Sequence, residues 1–233
     1  KAFLDYREYP YSQVSDDERA ATVASAIADG KIIGYMVGRM EYGPRSLGAR
    51  SILGDARNVD TQSIMNLKIK FRESFRPFAP SVLEAYCQEY FGLKTDSPYM
   101  LLVAPVNEDR WIISDTVIPD DGDMLPLINR PRSDIPAVTH VDYSARIQTV
   151  SPAEKPDYYA VIKEFEKLTG YGLIVNTSFN VRGEPIVASP EDAYRCFMRT
   201  GIDMLVLENC VLIKNEQPEF PEDEDWKNTY AVD

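Results

Sequence analysis

Between Ser15 and Gly54 a helix signal, an apolar run and a glycine-rich loop follow one another without a break, an order that commits the chain to an α/β beginning. Ser15 suits a helix N-cap, and Asp16, Asp17 and Glu18 suit the positive end of the helix behind it. Val23, Ile27 and neighbouring alanines share one face through about Asp29, and Gly30 ends the helix. The run KIIGYMVG then reads as a short buried strand. It delivers the chain straight into GRMEYGPRSLGARSIL, where glycines and arginines are interleaved in loop chemistry.

That loop opens a cationic island. From Gly38 to Pro80 stand Arg39, Arg45, Arg50, Arg57, Lys68, Lys70, Arg72 and Arg76. These eight basic residues face four acidic ones, a balance of +4 in a chain of net charge −12, which leaves −16 for the rest. Glycine lets a backbone approach a ligand closely, and arginine presents a planar fork of donors that matches phosphate or carboxylate. The island predicts an anion site, most plausibly for a polyphosphate. A solvated basic helix face fits Gly-Pro-Arg-Ser-Leu-Gly poorly, because that segment is loop and not helical stripe.

With 233 residues and 44% hydrophobic content the chain can bury one sizeable core, or one domain with an appended lobe. A charged fraction of 27% reads as globular and not disordered. No apolar run approaches the roughly 20 residues of a membrane span, so no membrane contact is expected. Three widely spaced cysteines (Cys87, Cys196, Cys210) and a single histidine argue against a structural zinc site, and no metal ligand set is expected. Reduced thiols and acidity predict a cytoplasmic enzyme, and the acidity speaks against nucleic acid. The chain begins at Lys1 and is expected to be part of a longer protein.

Residues 1–17, rich in Tyr and broken by Pro10, are expected to be a linker or arm packed on another domain. The main domain is expected over 18–214. A helix is predicted from about Asp60 to Phe71, with Lys68, Arg72 and Phe75 on one face. FAPSVL and YMLLVAPV read as strands around a short helix in EAYCQEYFGL, and residues 107–133 as an insertion or loop. Strands are predicted over Ile135–Val138 and Ala145–Val150. A helix follows from about Lys155 to Thr169, with Val161, Phe165 and Leu168 facing in. GLIVNTSFN reads as a strand ending in a polar cluster. Ser189 caps a helix that starts on Pro190, and MLVLENCVLIK as two short strands. The acidic tail 215–233 is expected to fray.

Two further segments carry polar groups suited to a site. NTSFNVRGEP, residues 176–185, follows an apolar strand, and ligands of open α/β sheets bind at strand C-terminal ends. Asn176, Thr177, Ser178 and Asn180 supply neutral donors and acceptors, Arg182 a charge and Gly183 a turn; an Asx/Ser turn serving its own backbone weighs about equally. His140 lies near Asp142 and Arg146 with no nucleophile motif, so it is at most a ligand contact. Neither a Walker A motif nor GxGxxG is present.

EYGPRSLGARSIL, KIKFRESFRPFAPSVL, AVTHVDYSARIQTV and NTSFNVRGEPIV, four motifs in order between about Ala24 and Ile213, resemble the carboxy-terminal region of NodU/CmcH-type O-carbamoyltransferases. That region is similar to YrdC-like domains, which implies a mixed α/β (α+β) fold with an open twisted sheet flanked by helices. The resemblance implies that the domain takes carbamoyl phosphate and ATP, with Mg²⁺, and forms carbamoyl adenylate. An amino-terminal ASKHA-like transferase domain, a partner within the same full-length chain, would pass the carbamoyl group to an acceptor hydroxyl. The domain alone is then expected to activate but not to transfer. On this resemblance Lys70 and Arg76 hold phosphates, and Arg45 and Arg50 close over the anion beside Ser46. Ser178 and Asn180, with Asn176, Thr177 and Arg182, contact nucleotide phosphate or carbamoyl, and His140 and Arg146 line the carbamoyl end. Residues 84–134 depart from the pattern as a long insertion with no role to carry over. The alternative reading is a nucleotide- or RNA-binding module without catalysis, which nucleotide turnover would distinguish.

Overall fold

The computed structural model describes residues 1–113 and 125–221. Their strands form one sheet in the order β1-β9-β8-β2-β3-β7-β4-β6-β5. The strands are β1 (Ser12–Gln13), β2 (Ile33–Met36), β3 (Arg50–Gly54), β4 (Ala79–Leu83), β5 (Leu102–Pro105), β6 (Ser144–Val150), β7 (Leu173–Ser178), β8 (Met204–Leu207) and β9 (Cys210–Ile213). β2 runs parallel to β8 and β4 to β6; the other pairs are antiparallel.

The central strands read as near-continuous apolar runs because both faces of the sheet are covered. On one face Val23, Ala24 and Ile27 of α2 (Asp16–Ala28) and Tyr158, Val161, Ile162 and Phe165 of α6 (Pro156–Thr169) pack over Ile33, Leu53, Ile174 and Val206. On the other, Ala193, Tyr194 and Phe197 of α7 (Pro190–Arg199) join Ile52, Val175, Leu205 and Leu207. Adjacent residues such as Leu205 and Val206 point to opposite cores, as the two-residue strand period requires. Both capped helices carry reciprocal capping boxes, Ser15 with Glu18 and Ser189 with Asp192. Leu168, expected to face in, is 60% exposed. It lies near the end of α6, beyond the buried stripe that finishes at Phe165.

Residues 1–17 pack on this domain, not as a free linker. α1 (Ala2–Arg7) buries Leu4 completely, Tyr9 stacks on Tyr194 with ring centroids 3.8 Å apart, and β1 pairs with β9 at the sheet edge. The arm covers an aromatic face of α7 that the sheet alone leaves open. Ile135–Val138 is a 3₁₀ turn over Pro136–Val138 and not a strand. Pro136 has no N–H to give a ladder, and the Ala137 N–H instead donates to the Ala56 carbonyl. The short helix expected in EAYCQEYFGL is α4 (Cys87–Tyr90), and the expected insertion at 107–133 carries a 3₁₀ turn at Glu108–Arg110, α5 (Leu125–Asn129) and a bridge between Trp111 and Ser133. Residues 114–124 and the end of the tail, 222–233, lie outside the described residues.

Arg57 is partly buried. Its guanidinium meets the buried Asp55 carboxylate at 3.0 and 2.6 Å and lies over the rings of Phe165 (5.1 Å) and Tyr171 (5.6 Å). Arg57→Ala would leave a buried carboxylate unpaired. It is expected to cost about 1–3 kcal/mol, after discounting the buried-pair range for the partial exposure of Arg57. Urea unfolding measures it.

Candidate active site

Strand register gathers the two motif segments. Ser51 lies opposite Ser178, Asn176 opposite Ala79 and Arg146 opposite Val103. The exit of β7 and the entries of β3, β4 and β6 therefore share one end of the sheet. There Arg45, Ser46, Arg72, Arg146, Asn176, Thr177 and Ser178, with Pro44, Pro77, Phe78, Ala79 and Met100, line a cavity of about 160 Å³.

The loop between β2 and β3 is shaped from inside. One carboxylate oxygen of Glu41 accepts from the N–H groups of Leu47 and Ala49, both at 2.7 Å. Gln148 Nε2 donates to the Leu47 carbonyl at 3.0 Å, and Asn176 Nδ2 to the Ser46 carbonyl at 3.1 Å. Ser46 Oγ and Asn176 Oδ1 are buried at the cavity wall with no hydrogen-bond partner among the described residues. Arg50, expected to close over the anion, is buried and does not line the cavity: its Nη1 donates to the carbonyls of Gly38 and Ala49, both at 3.0 Å, and its Nε has no partner among the described residues. It staples the loop base.

The predicted helix over 60–71 is in fact α3 (Thr61–Met65) continued by a π-helical turn, Asn66–Lys70. Phe71, at φ 49°, closes it in the left-handed region. This wider turn sends Lys70 inward. Lys70 Nζ is buried and donates to the Ser178 carbonyl (2.5 Å), the Asn180 carbonyl (2.9 Å), Asn180 Oδ1 (2.9 Å) and Ser178 Oγ (3.3 Å). It ties down the β7 exit and does not line the cavity. Arg76 is half-exposed and paired with Glu73 at 3.2 Å, and Arg182 stands 3.8 Å from the same carboxylate; neither lines the cavity. The sequence reading missed Arg72 as a site residue. Its Nε donates to Asn66 Oδ1 at 2.6 Å, and its guanidinium lies 5.0 Å from the Phe78 ring centroid. Nothing in helical spacing marks it. The alternation Lys70-Phe71-Arg72 does, once a left-handed residue separates the two cations.

The cavity is electrostatically short of anions. Burial, and then Arg76, pull the Arg72 guanidinium down to about 10. Burial, and then Arg45, lower Arg146. No carboxylate lines the cavity. Clustered guanidiniums that hold their protons less tightly than in water mark a place where an anion is favoured. His140 lies in a separate, larger cavity. Burial lowers its pKa, and its Nδ1 sits 3.2 Å from Ser144 Oγ.

Burial also pulls Lys70 down to about 7. That is below the ordinary 10.5, so between about 7 and 10.5 the unfolded chain holds a proton that the folded chain has released. Stability contributed by this group therefore rises with pH across that window, and the burial penalty is fully present below about 7. Lys70→Met should flatten this part of the stability–pH curve, as read from urea unfolding at several pH values.

The three cysteines are free and buried. No helix among the described residues is long and apolar enough to cross a membrane.

Residues 24–214 match the family model described as Carbamoyltransferase C-terminus. The chain belongs to this carbamoyltransferase C-terminal family. It is 54% identical over 225 residues to sll1178 of Synechocystis sp., covering 96% of this chain and 36% of that protein. To nodulation protein NolNO of Sinorhizobium fredii it is 40% identical, over 90% of this chain and 28% of the relative. It thus spans about a third of the length of these relatives. Among solved structures, full-length HypF in a phosphate- and nucleotide-bound form is similar at a TM-score of 0.50 and 15% identity, over 88% of this chain and 22% of that one. The fold is the YrdC-like mixed α/β arrangement that the motifs imply.

Proposed function

We propose that this domain activates carbamoyl phosphate with ATP to form carbamoyl adenylate, which another domain of the full-length protein passes to an acceptor hydroxyl. One observation carries the reading: three guanidiniums, Arg45, Arg72 and Arg146, converge on a small cavity with no carboxylate in its lining. Attack of water on the phosphorus of carbamoyl phosphate breaks its bond to the carbamoyl oxygen and leaves phosphate and carbamate. A carbamate oxygen then attacks the α-phosphorus of ATP, and the bond to the bridging oxygen breaks to release pyrophosphate. Every species carries negative charge, which fixed arginine forks stabilise without reorganising. No protein nucleophile is required. Thr177 adds a hydroxyl at the same wall, and Lys70 fixes Ser178, whose hydroxyl donates to Asn180 Oδ1, and Asn180 in place. Mg²⁺ would arrive on the ATP phosphates and neutralise charge there. No group of three or more metal-ligating side chains occurs among the described residues.

The test is carbamoyl-phosphate-dependent exchange of labelled pyrophosphate into ATP by this chain. Exchange that disappears when carbamoyl phosphate is omitted is expected, with no carbamoylated sugar or alcohol formed. ATP binding without exchange would favour a nucleotide-binding module instead.

A further inference from the structure

We infer that Gln148, which does not itself line the arginine cavity, sets the acyl phosphate the site accepts by holding the Asn176 amide with its oxygen towards that cavity. This rests on the adenylate reading and deepens it. Carbamoyl phosphate and acetyl phosphate share a phosphate and a carbonyl, and an amine and a methyl are close in size. Arginine forks and a small volume do not tell the two apart. Selection needs a group that reads the amine.

Asn176 is such a group. It is 1% exposed and lines the cavity. Its Nδ2 donates to the Ser46 carbonyl at 3.1 Å and to Gln148 Oε1 at 2.8 Å. A main-chain carbonyl only accepts, so the atom that meets Ser46 is the nitrogen and the atom left over is the oxygen. That Oδ1 is buried without a hydrogen-bond partner among the described residues. A bare buried acceptor is costly, and an N–H on the ligand removes the cost. Ser46 Oγ, also unpartnered at this wall, can both give and accept and so does not discriminate. Ala79, opposite Asn176 in register and part of the same lining, has no polar side-chain atom to take the place of the amine.

Gln148 is the positioning residue. It is buried, and its Nε2 donates to the Leu47 carbonyl at 3.0 Å, which by the same rule assigns its nitrogen and leaves Oε1 as an acceptor. Oε1 takes two donors, Ser81 Oγ at 2.5 Å and Asn176 Nδ2. The assignment thus runs from the β2–β3 loop through β6 to β7. Neither amide can turn over alone without setting oxygen against oxygen. A carbamoyl amine meets Asn176 Oδ1 as a donor, whereas an acetyl methyl leaves it bare. Sites built around a substrate N–H reject an analogue that lacks it by up to about 10⁴–10⁵-fold.

Pyrophosphate exchange into ATP by the purified chain, driven by carbamoyl phosphate or by acetyl phosphate, tests this. Acetyl phosphate would follow the same steps: water attacks its phosphorus, acetate leaves, and an acetate oxygen displaces pyrophosphate from the α-phosphorus of ATP. The wild type is expected to favour carbamoyl phosphate by about 10³-fold or more in kcat/KM. Gln148→Met frees the Asn176 amide to turn. It should lower kcat/KM for carbamoyl phosphate by about ten- to hundredfold and leave acetyl phosphate within about threefold of wild type. Asn176→Leu removes the acceptor and should narrow the preference further. Circular dichroism verifies that each variant folds. A wild type that uses both acyl phosphates equally well overturns the inference without any variant. Folded variants that lose both activities in the same proportion overturn it as well, since a merely structural role lowers both alike. The adenylate reading stands in either case. Absence of exchange with both acyl phosphates in the wild type would overturn the adenylate reading, and this inference with it.

Discussion

Arg72→Ala is expected to lower carbamoyl-phosphate-dependent pyrophosphate exchange by about two orders of magnitude, the loss that follows from removing one preorganised donor to developing charge. Its stability cost should stay near 1 kcal/mol, since the fold loses one hydrogen bond to Asn66 Oδ1 and one ring contact with Phe78. Arg72→Lys keeps the charge and gives up the planar fork, so an intermediate rate is expected. Arg76 supplies the contrast. It is paired with Glu73 on the surface and does not line the cavity. Arg76→Ala should therefore cost less than tenfold in rate. Part of that is offset, because removing Arg76 relieves its repulsion of Arg72. Equal losses in Arg72→Ala and Arg76→Ala would mean that the general positive field matters and the cavity geometry does not.

The contrast between these two arginines shows where sequence reasoning stops. Helices were legible from their ends: Ser15 and Ser189 cap, and Gly170 at φ 80° closes α6. Apolar runs marked most strands, and two polar segments 130 residues apart were each legible as site material. What brings them together is register, with Asn176 opposite Ala79 and Ser51 opposite Ser178. Such pairing is non-local and leaves no periodic trace. Side-chain direction was lost at the π turn, where one extra residue per turn rotates Lys70 into the core and Arg72 onto the cavity. At 3.6 residues per turn Arg72 falls on one face with Lys68 and Phe75 instead. The environment of Arg57 is set by the rings of Phe165 and Tyr171, more than 100 residues downstream, which no local pattern shows.

Gly48→Ala is expected to destabilise the domain by about 3 kcal/mol and to remove activity with it. Two independent costs combine. Gly48 has φ 105°, a conformation that strains any L side chain. A Cβ placed there would stand 2.2 Å from Cδ1 of Tyr158 and 2.5 Å from its Cγ. Tyr158 is fully buried between α6 and the sheet, so its ring cannot swing away, and overpacking of this kind costs about 1–3 kcal/mol. For a domain of this size that corresponds to a fall of roughly 6–12 °C in melting temperature. The backbone would relieve the clash by lifting, and the lifted segment carries Arg45 and Ser46 away from Asn176 and Gln148, which anchor it. Pairing Gly48→Ala with Tyr158→Leu separates the two costs. The smaller side chain removes the clash but not the backbone strain, so the double variant should recover part of the loss that Gly48→Ala causes on its own, with a coupling of about 1–2 kcal/mol in a double-mutant cycle. A double variant whose losses simply add would show that Tyr158 yields to the new methyl, and that backbone strain alone holds the arginine loop to glycine at this position.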